Sequence, residues 1–185
     1  MTQFVFGITG WKNAGKTTLA ERLVAEFVRR GWRVATVKHA HHAADIDKPG
    51  TDSFRHRAAG AAEVALVTGA RYAIVREQEE ATLGEVLARL APADLVLVEG
   101  FKRDAHPKVE VRGADSEPMV AREHNIVAIA ADARPADGTL PWFRRDDVAG
   151  IADFIAARRP SPRARTVHGF PTSLPPRGKR PMPMA

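Results

Sequence analysis

The sequence predicts an α/β protein of the P-loop nucleotide-binding type, with a mainly parallel sheet, helices on both faces and an inserted β-hairpin. Three observations carry the prediction. Gly10-Trp11-Lys12-Asn13-Ala14-Gly15-Lys16-Thr17 fits the pattern G-x-x-x-x-G-K-S/T. The pattern lies between a strand-length apolar run and a stretch of helical period. Beyond it, strand and helix patterns keep alternating, as they do when helices cross over a parallel sheet.

The elements follow in order. Phe4 to Ile8 reads as a buried strand, and Lys16 to Arg30 as an amphipathic helix stopped by Gly31 after the cations Arg29 and Arg30. Trp32 to Lys38 is a second strand. The polar run His39 to Thr51 is too long for a simple connector and lies past a strand end, where open α/β sheets bind ligands. Asp52 to Ala62 is expected to be helical. Glu63 to Thr68 and Tyr72 to Arg76, joined by Gly69-Ala70-Arg71, form the hairpin. Thr82 and Glu85 make a capping box for a helix over Leu83 to Leu90, which Pro92 ends. Asp94 to Val98, Lys108 to Arg112 and Ile126 to Ala130 are strands. Asp146 or Asp147 opens a last helix whose Val148, Ile151, Ala152 and Ile155 share one face.

Composition bounds the rest. The 185 residues, 44% apolar and only 6% aromatic, suit one compact domain, placed at residues 1–157. With no cysteine, thiolate ligands and a cysteine nucleophile are excluded, and a reducing cytoplasmic setting is expected. The first apolar run is too short for a secretory signal, and nothing reaches membrane-spanning length. The net charge of +6 resides in residues 158–185, where seven basic residues and seven prolines occur without an acid. Removing those seven from the 28 basic residues leaves 21 against 22 acidic ones, a net of −1, so the folded part shows no nucleic-acid footprint. The tail is expected to be disordered or extended, as a solvated appendage or as a nucleic-acid or membrane arm.

The loop prescribes chemistry. Its backbone N–H groups and the helix N-terminus behind it receive a polyphosphate, held by Gly10, Lys12, Asn13, Ala14, Gly15, Lys16, Thr17 and Thr18. Lys16 reaches the β- and γ-phosphates and Thr17 gives its hydroxyl to Mg²⁺. Such a site needs a carboxylate at the end of a neighbouring apolar strand. Glu99, closing Asp94-Leu95-Val96-Leu97-Val98, is that group, as a direct Mg²⁺ ligand or through an oriented water. Asp94 belongs at the opposite end of the sheet. His39, His41 and His42 suggest either a transition-metal site or contacts to phosphate, Mg²⁺-bound water or an acceptor, shared with Asp45, Asp47 and Asp52. Arg55 and Arg57 are second-anion candidates or solvated helix charges.

Three separated runs resemble the family of molybdopterin-guanine dinucleotide biosynthesis adaptors, MobB. They are the P-loop, the stretch Val37-Lys38-His39-Ala40-His41-His42 continuing from Asp45 through Ala61, and Leu97-Val98-Glu99-Gly100-Phe101-Lys102 with Pro107-Lys108. The resemblance spans residues 4 to 132 and leaves out the tail. It implies a dimeric, weak GTPase that binds GTP and Mg²⁺. It further implies that the chain assists a MobA-type molybdopterin guanylyltransferase and presents nucleotide or the molybdopterin product to that partner and to molybdoenzymes. In the wider branch a lysine directly follows the first glycine of the loop, whereas here Trp11 stands there and the lysine is Lys12. The N-K-x-D guanine motif is absent. Asp132 is the candidate reader of guanine N1 and N2, against the alternative of a surface acid. A small-molecule kinase, a nickel-delivery GTPase and a non-enzymatic, nucleotide-stabilised scaffold are the competing readings.

Overall fold

The computed structural model describes residues 3–40, 47–78, 81–114, 116–120, 122–136, 138 and 140–160. His41, His42, Asp45 and all of the basic tail beyond Pro160 lie outside the described residues.

The elements run β1 (Val5–Thr9), α1 (Lys16–Arg29), β2 (Val34–Lys38), α2 (Asp52–Ala58), β3 (Glu63–Val67), β4 (Tyr72–Arg76), α3 (Leu83–Arg89), β5 (Leu95–Glu99), β6 (Lys108–Arg112), β7 (Ile126–Ala131), β8 (Trp142–Arg144) and α4 (Val148–Ala156). Six strands form one sheet in the order β2-β5-β1-β6-β7-β8, and every neighbouring pair is parallel. The chain builds outward from β1 in one direction first and later in the other. That reversal leaves a crevice beside the carboxyl end of β1, the place where open α/β sheets take ligands. Antiparallel β3 and β4 form the expected hairpin as a separate two-stranded sheet.

Burial on both faces explains why β5 reads as a continuous apolar run. Leu95 and Leu97 belong to the core under α1 and α4, with Leu19, Leu23, Phe27, Ile151 and Ile155. Val96 and Val98 turn to the other face and pack with Val37 and Leu83 beneath α3. Each such side chain contributes about 1.5–3 kcal/mol when fully buried. The α3 capping box is formed, with both Thr82 and Glu85 bonded reciprocally. At the end of α1 the Gly31 N–H donates to Val28 O (2.9 Å) and the Trp32 N–H to Phe27 O (3.0 Å), with Gly31 at φ +81. This is a Schellman stop, placing the glycine just past the helix.

Three differences from the sequence reading stand out. Helix α2 ends at Ala58 rather than Ala62, because Gly60 (φ +100) makes a second Schellman stop through Gly60 N–H to Arg57 O and Ala61 N–H to His56 O. Strand β8 is additional, a three-residue edge strand on β7. In β6, Val109 and Val111 join the α1/α4 core, yet Lys108, Glu110 and Arg112 on the alternate positions are buried too. The segment before β7 covers them. Arg112 donates Nε and Nη2 to Glu110 (3.1 and 2.8 Å), and the Met119 N–H donates to Glu110 Oε1 (3.0 Å).

Candidate nucleotide-binding site

The loop after β1 is shaped by its glycines. A β-carbon on Gly10, at φ +144, would drive into the carbonyl oxygen of Val111, so the first glycine lets the loop pack against β6. Gly15, at φ +98, is the N-cap of α1 in a left-handed conformation that side chains disfavour. Ala14 is buried in the core and Lys12 is exposed. Asn13 adopts φ +63, the conformation asparagine tolerates best after glycine. Lys16 Nζ donates to Gly10 O (3.0 Å) and Trp11 O (2.7 Å), bridging the mouth of the loop. Its pKa is lowered, first by burial and further by Lys102 and Lys38, while Glu99 and Glu123 oppose the shift. Three ammonium groups thus gather around two carboxylates, a cluster that a bound polyphosphate would neutralise.

Thr17 and Glu99 meet. The Thr17 hydroxyl lies 3.2 and 3.1 Å from the two carboxylate oxygens of Glu99, which β5 delivers to the same edge as the loop. Lys38, at the end of β2, holds its ammonium 3.3 Å from Thr17 Oγ1 and 3.5 Å from Glu99 Oε2. A cation is therefore already favoured between the hydroxyl and the carboxylate. The donor set fits Mg²⁺, which takes one or two protein oxygens and completes its shell with phosphate and water. Asp94 lies at the other end of β5, bonded to the Arg33 N–H (2.9 Å) and Arg159 (2.6 Å), as its position before the strand implied.

Asp132 follows β7 and shares a pocket of about 290 Å³ with Gly15, Thr18, Leu19, Arg22 and Arg145. Arg145, in the turn after β8, donates Nε to Asp132 Oδ1 (2.7 Å) and Nη1 to Ala14 O (3.1 Å). Its Nη2 pairs with Asp132 Oδ2. These bonds hold the Asp132 carboxyl below the usual carboxylate range and raise Arg145. Thr18 is exposed at the rim. The pocket opens off the N-terminus of α1, next to the loop.

The remaining sequence candidates disperse. The His39 ring stacks on Phe101 at 4.7 Å, and the His39 N–H donates to Glu99 O (2.8 Å), locking the ends of β2 and β5 together. Gly100 permits this approach, since a β-carbon there would lie 2.7 Å from His39 Cβ. Asp47 turns inward rather than toward the loop, accepting from Ser53 Oγ (2.8 Å) and Thr51 Oγ1 (3.3 Å). Arg57 pairs with Glu77 (2.5 Å) and Asp47 (3.4 Å), and Arg55 with the exposed Asp52 (3.6 Å). Among the described residues no group of three or more His, Cys, Asp or Glu is placed to hold a metal. Sequence reasoning missed Lys38, Lys102, Arg145 and Glu123. Glu123 is buried and accepts the Thr9 hydroxyl at 3.0 and 2.9 Å. Trp11 donates Nε1 to Glu117 O (2.8 Å) and lies 5.5 Å from both Lys102 and Arg122.

Comparison with known proteins identifies the family and its fold. The family model described as "Molybdopterin guanine dinucleotide synthesis protein B" matches residues 5–132. The molybdopterin-guanine dinucleotide biosynthesis adapter protein of Haemophilus influenzae is 37% identical over 156 residues, spanning 82% of this chain and 86% of the relative. Its Escherichia coli counterpart is 35% identical over 160 residues, spanning 82% and 90%. The crystal structure of a MobB homologue from Bacillus stearothermophilus superposes with a TM-score of 0.65 at 29% identity, covering 84% of this chain and all of that one. A second crystal structure, of molybdopterin-guanine biosynthesis protein B, gives a TM-score of 0.67 at 29% identity, covering 83% and 97%. By its matched sequence and its fold, the chain belongs to the MobB family.

Proposed function

We propose that this chain is a GTP-binding accessory protein of molybdenum cofactor biosynthesis, assisting the conversion of molybdopterin to molybdopterin guanine dinucleotide. The observation that carries the nucleotide part is the meeting of Thr17 and Glu99, 3.1–3.2 Å apart beside the P-loop, at the same sheet edge as the Asp132 pocket. The biosynthetic role comes from the relatives, named as adapters of molybdopterin-guanine dinucleotide biosynthesis.

In this reading the loop N–H groups and Lys16 hold the phosphates of GTP, with Lys38 and Lys102 adding positive charge around the terminal one. Thr17 and Glu99 hold Mg²⁺, which when bound neutralises charge on the phosphate oxygens. Glu99, set by β5, also orients water, and hydrolysis is slow because the machinery is electrostatic placement alone. Asp132 accepts from guanine N1 and N2.

The partner is a molybdopterin guanylyltransferase of the MobA type, and the molybdopterin product passes from the pair to molybdoenzymes in the cytoplasm. The working unit is a homodimer formed through the β3–β4 hairpin. Val67 and Tyr72 are cross-strand neighbours, 74% and 73% exposed, and Ile74 on the same face is 58% exposed. So large an apolar surface on a hairpin outside the main sheet suits a second copy of the chain.

The test is a calorimetric titration with GTP and ATP in the presence of Mg²⁺, followed by pull-down of purified guanylyltransferase. The reading requires a clear preference for GTP and capture of the partner. Preference for ATP, or no capture at any nucleotide concentration, would sink it.

A further inference from the structure

The geometry points to Arg145 as a specificity-determining residue that reads the guanine O6/N7 edge while Asp132 reads N1 and N2. The inference rests on the guanine reading above and extends it to a residue that no sequence motif indicated. Arg145 and Asp132 share one pocket, joined through Nε–Oδ1 (2.7 Å) and the Nη2–Oδ2 pair. The third contact of the guanidinium, Nη1 to Ala14 O (3.1 Å), fixes it to the P-loop itself. Its planar fork is therefore held at the boundary between the phosphate loop and the base pocket.

Complementarity selects the ligand. A guanidinium offers several N–H donors and no acceptor, and a carboxylate offers only acceptors. Guanine presents two donors, N1–H and N2–H, next to two acceptors, O6 and N7. Arg against O6/N7 is the commonest specific contact to guanine in nucleic-acid recognition. Guanine entering the pocket thus trades the Arg145–Asp132 bonds for an equal set, with donors facing acceptors at both ends. Adenine cannot do so. Its N6 amino group would face the guanidinium, donor against donor, and its N1 lone pair would face the carboxylate. A site built to satisfy such groups rejects the ligand that leaves them unpaired. Val111 and Leu19, almost fully buried in the core, close the floor of the pocket.

The experiment compares the intact chain with Arg145→Met and Arg145→Lys, using calorimetric titration with GTP, ATP, 7-deaza-GTP and 6-thio-GTP. The first analogue lacks the N7 acceptor and the second weakens the O6 acceptor. The intact chain should bind at least one analogue roughly tenfold more weakly than GTP. Arg145→Met should lower the GTP-to-ATP affinity ratio by roughly tenfold and bind GTP and both analogues alike. Arg145→Lys keeps the charge but not the planar fork, so it should narrow the analogue difference without abolishing it, and it stands in if the methionine variant does not fold. Equal binding of GTP and both analogues by the intact chain overturns the inference while leaving the guanine reading intact. An equal loss of GTP and ATP affinity in both variants also overturns it, since Arg145 would then serve only the loop through Ala14. Equal binding of GTP and ATP by the intact chain would instead defeat the guanine reading, and this inference with it.

Discussion

Thr17 Oγ1 stands 3.2 and 3.1 Å from the two oxygens of Glu99, joining the first residues of α1 to the end of β5. The contact depends on register. Parallel pairing sets Ile8 beside Glu99 and Lys38 beside Glu99, so the carboxylate reaches the same level as the phosphate loop on one side and the lysine on the other. Exchanging either oxygen donor should therefore act on the metal rather than on folding. Glu99→Gln should cut GTP hydrolysis by roughly 10²–10³-fold and flatten its Mg²⁺ dependence. Thr17→Ala should bind GTP equally well with and without Mg²⁺. Phosphate-release assays over a Mg²⁺ series decide the matter, and an unaltered Mg²⁺ profile in both variants counts against the pair.

Asp132 can be tested by exchanging the base. Asparagine keeps the shape of the side chain but replaces one acceptor oxygen with an NH₂ donor. Guanine's N2 donors then face a donor, whereas xanthine presents a carbonyl oxygen at that position. Asp132→Asn should weaken GTP by roughly tenfold or more and strengthen XTP, reversing the order seen for the intact chain. Competition titrations with both nucleotides read this directly. Parallel weakening of GTP and XTP would mean that Asp132 only anchors Arg145.

The hairpin carries the prediction about assembly. Val67→Glu and Ile74→Glu each place a charge on the exposed apolar face of β3–β4, away from Val64, which is 9% exposed. Neither should alter the thermal midpoint of the monomer by more than a few degrees, because neither side chain is buried. Light scattering after size exclusion should show a dimer for the intact chain and a monomer for the double variant. A dimer that persists in the double variant assigns the contact elsewhere.

The sheet and the phosphate loop were legible because their signals are local. The glycine spacing, the apolar run of β5 and the capping box at Thr82 and Glu85 each fit within one element, and each formed as expected. The contacts that complete the candidate site are not local. Arg145 reaches Asp132 and Ala14 only after β8 lays itself on β7, and a three-residue strand has too little sequence to show a period. Lys38 was legible as a strand end but not as a neighbour of Glu99, since β2 and β5 are separated by the whole hairpin. The alternation Lys108-Val109-Glu110-Val111-Arg112 ordinarily means one face in water. Here the segment carrying Met119 and Glu123 covers Glu110, which pairs with Arg112, while the Lys108 ammonium donates to the carbonyls of Asp104 and His106. An alternating pattern tells which residues share a face, but not what lies against it.

One buried group on that side of the molecule makes stability depend on pH. The His106 ring fills the space beside Gly7, where a β-carbon would come within 2.6 Å of Nε2, and neither ring nitrogen has a hydrogen-bond partner among the described residues. Burial, reinforced by the Lys108 ammonium, pushes its pKa from 6.5 down to about 4. Between those values the unfolded imidazole takes up a proton that the folded one refuses. The unfolded state therefore binds more protons, and stability falls as pH drops through 6.5, with the loss complete near 4. The ring is not fully shielded, so the effect is smaller than a single fully coupled proton would give. His106→Gln, which cannot titrate, should lose this component. Urea unfolding at neutral pH and at about pH 5 should show the difference in stability between the intact chain and the variant shifting toward the variant as the solution is acidified. A difference that stays constant with pH would mean that the imidazole is protonated equally in both states, against the desolvation that its surroundings impose.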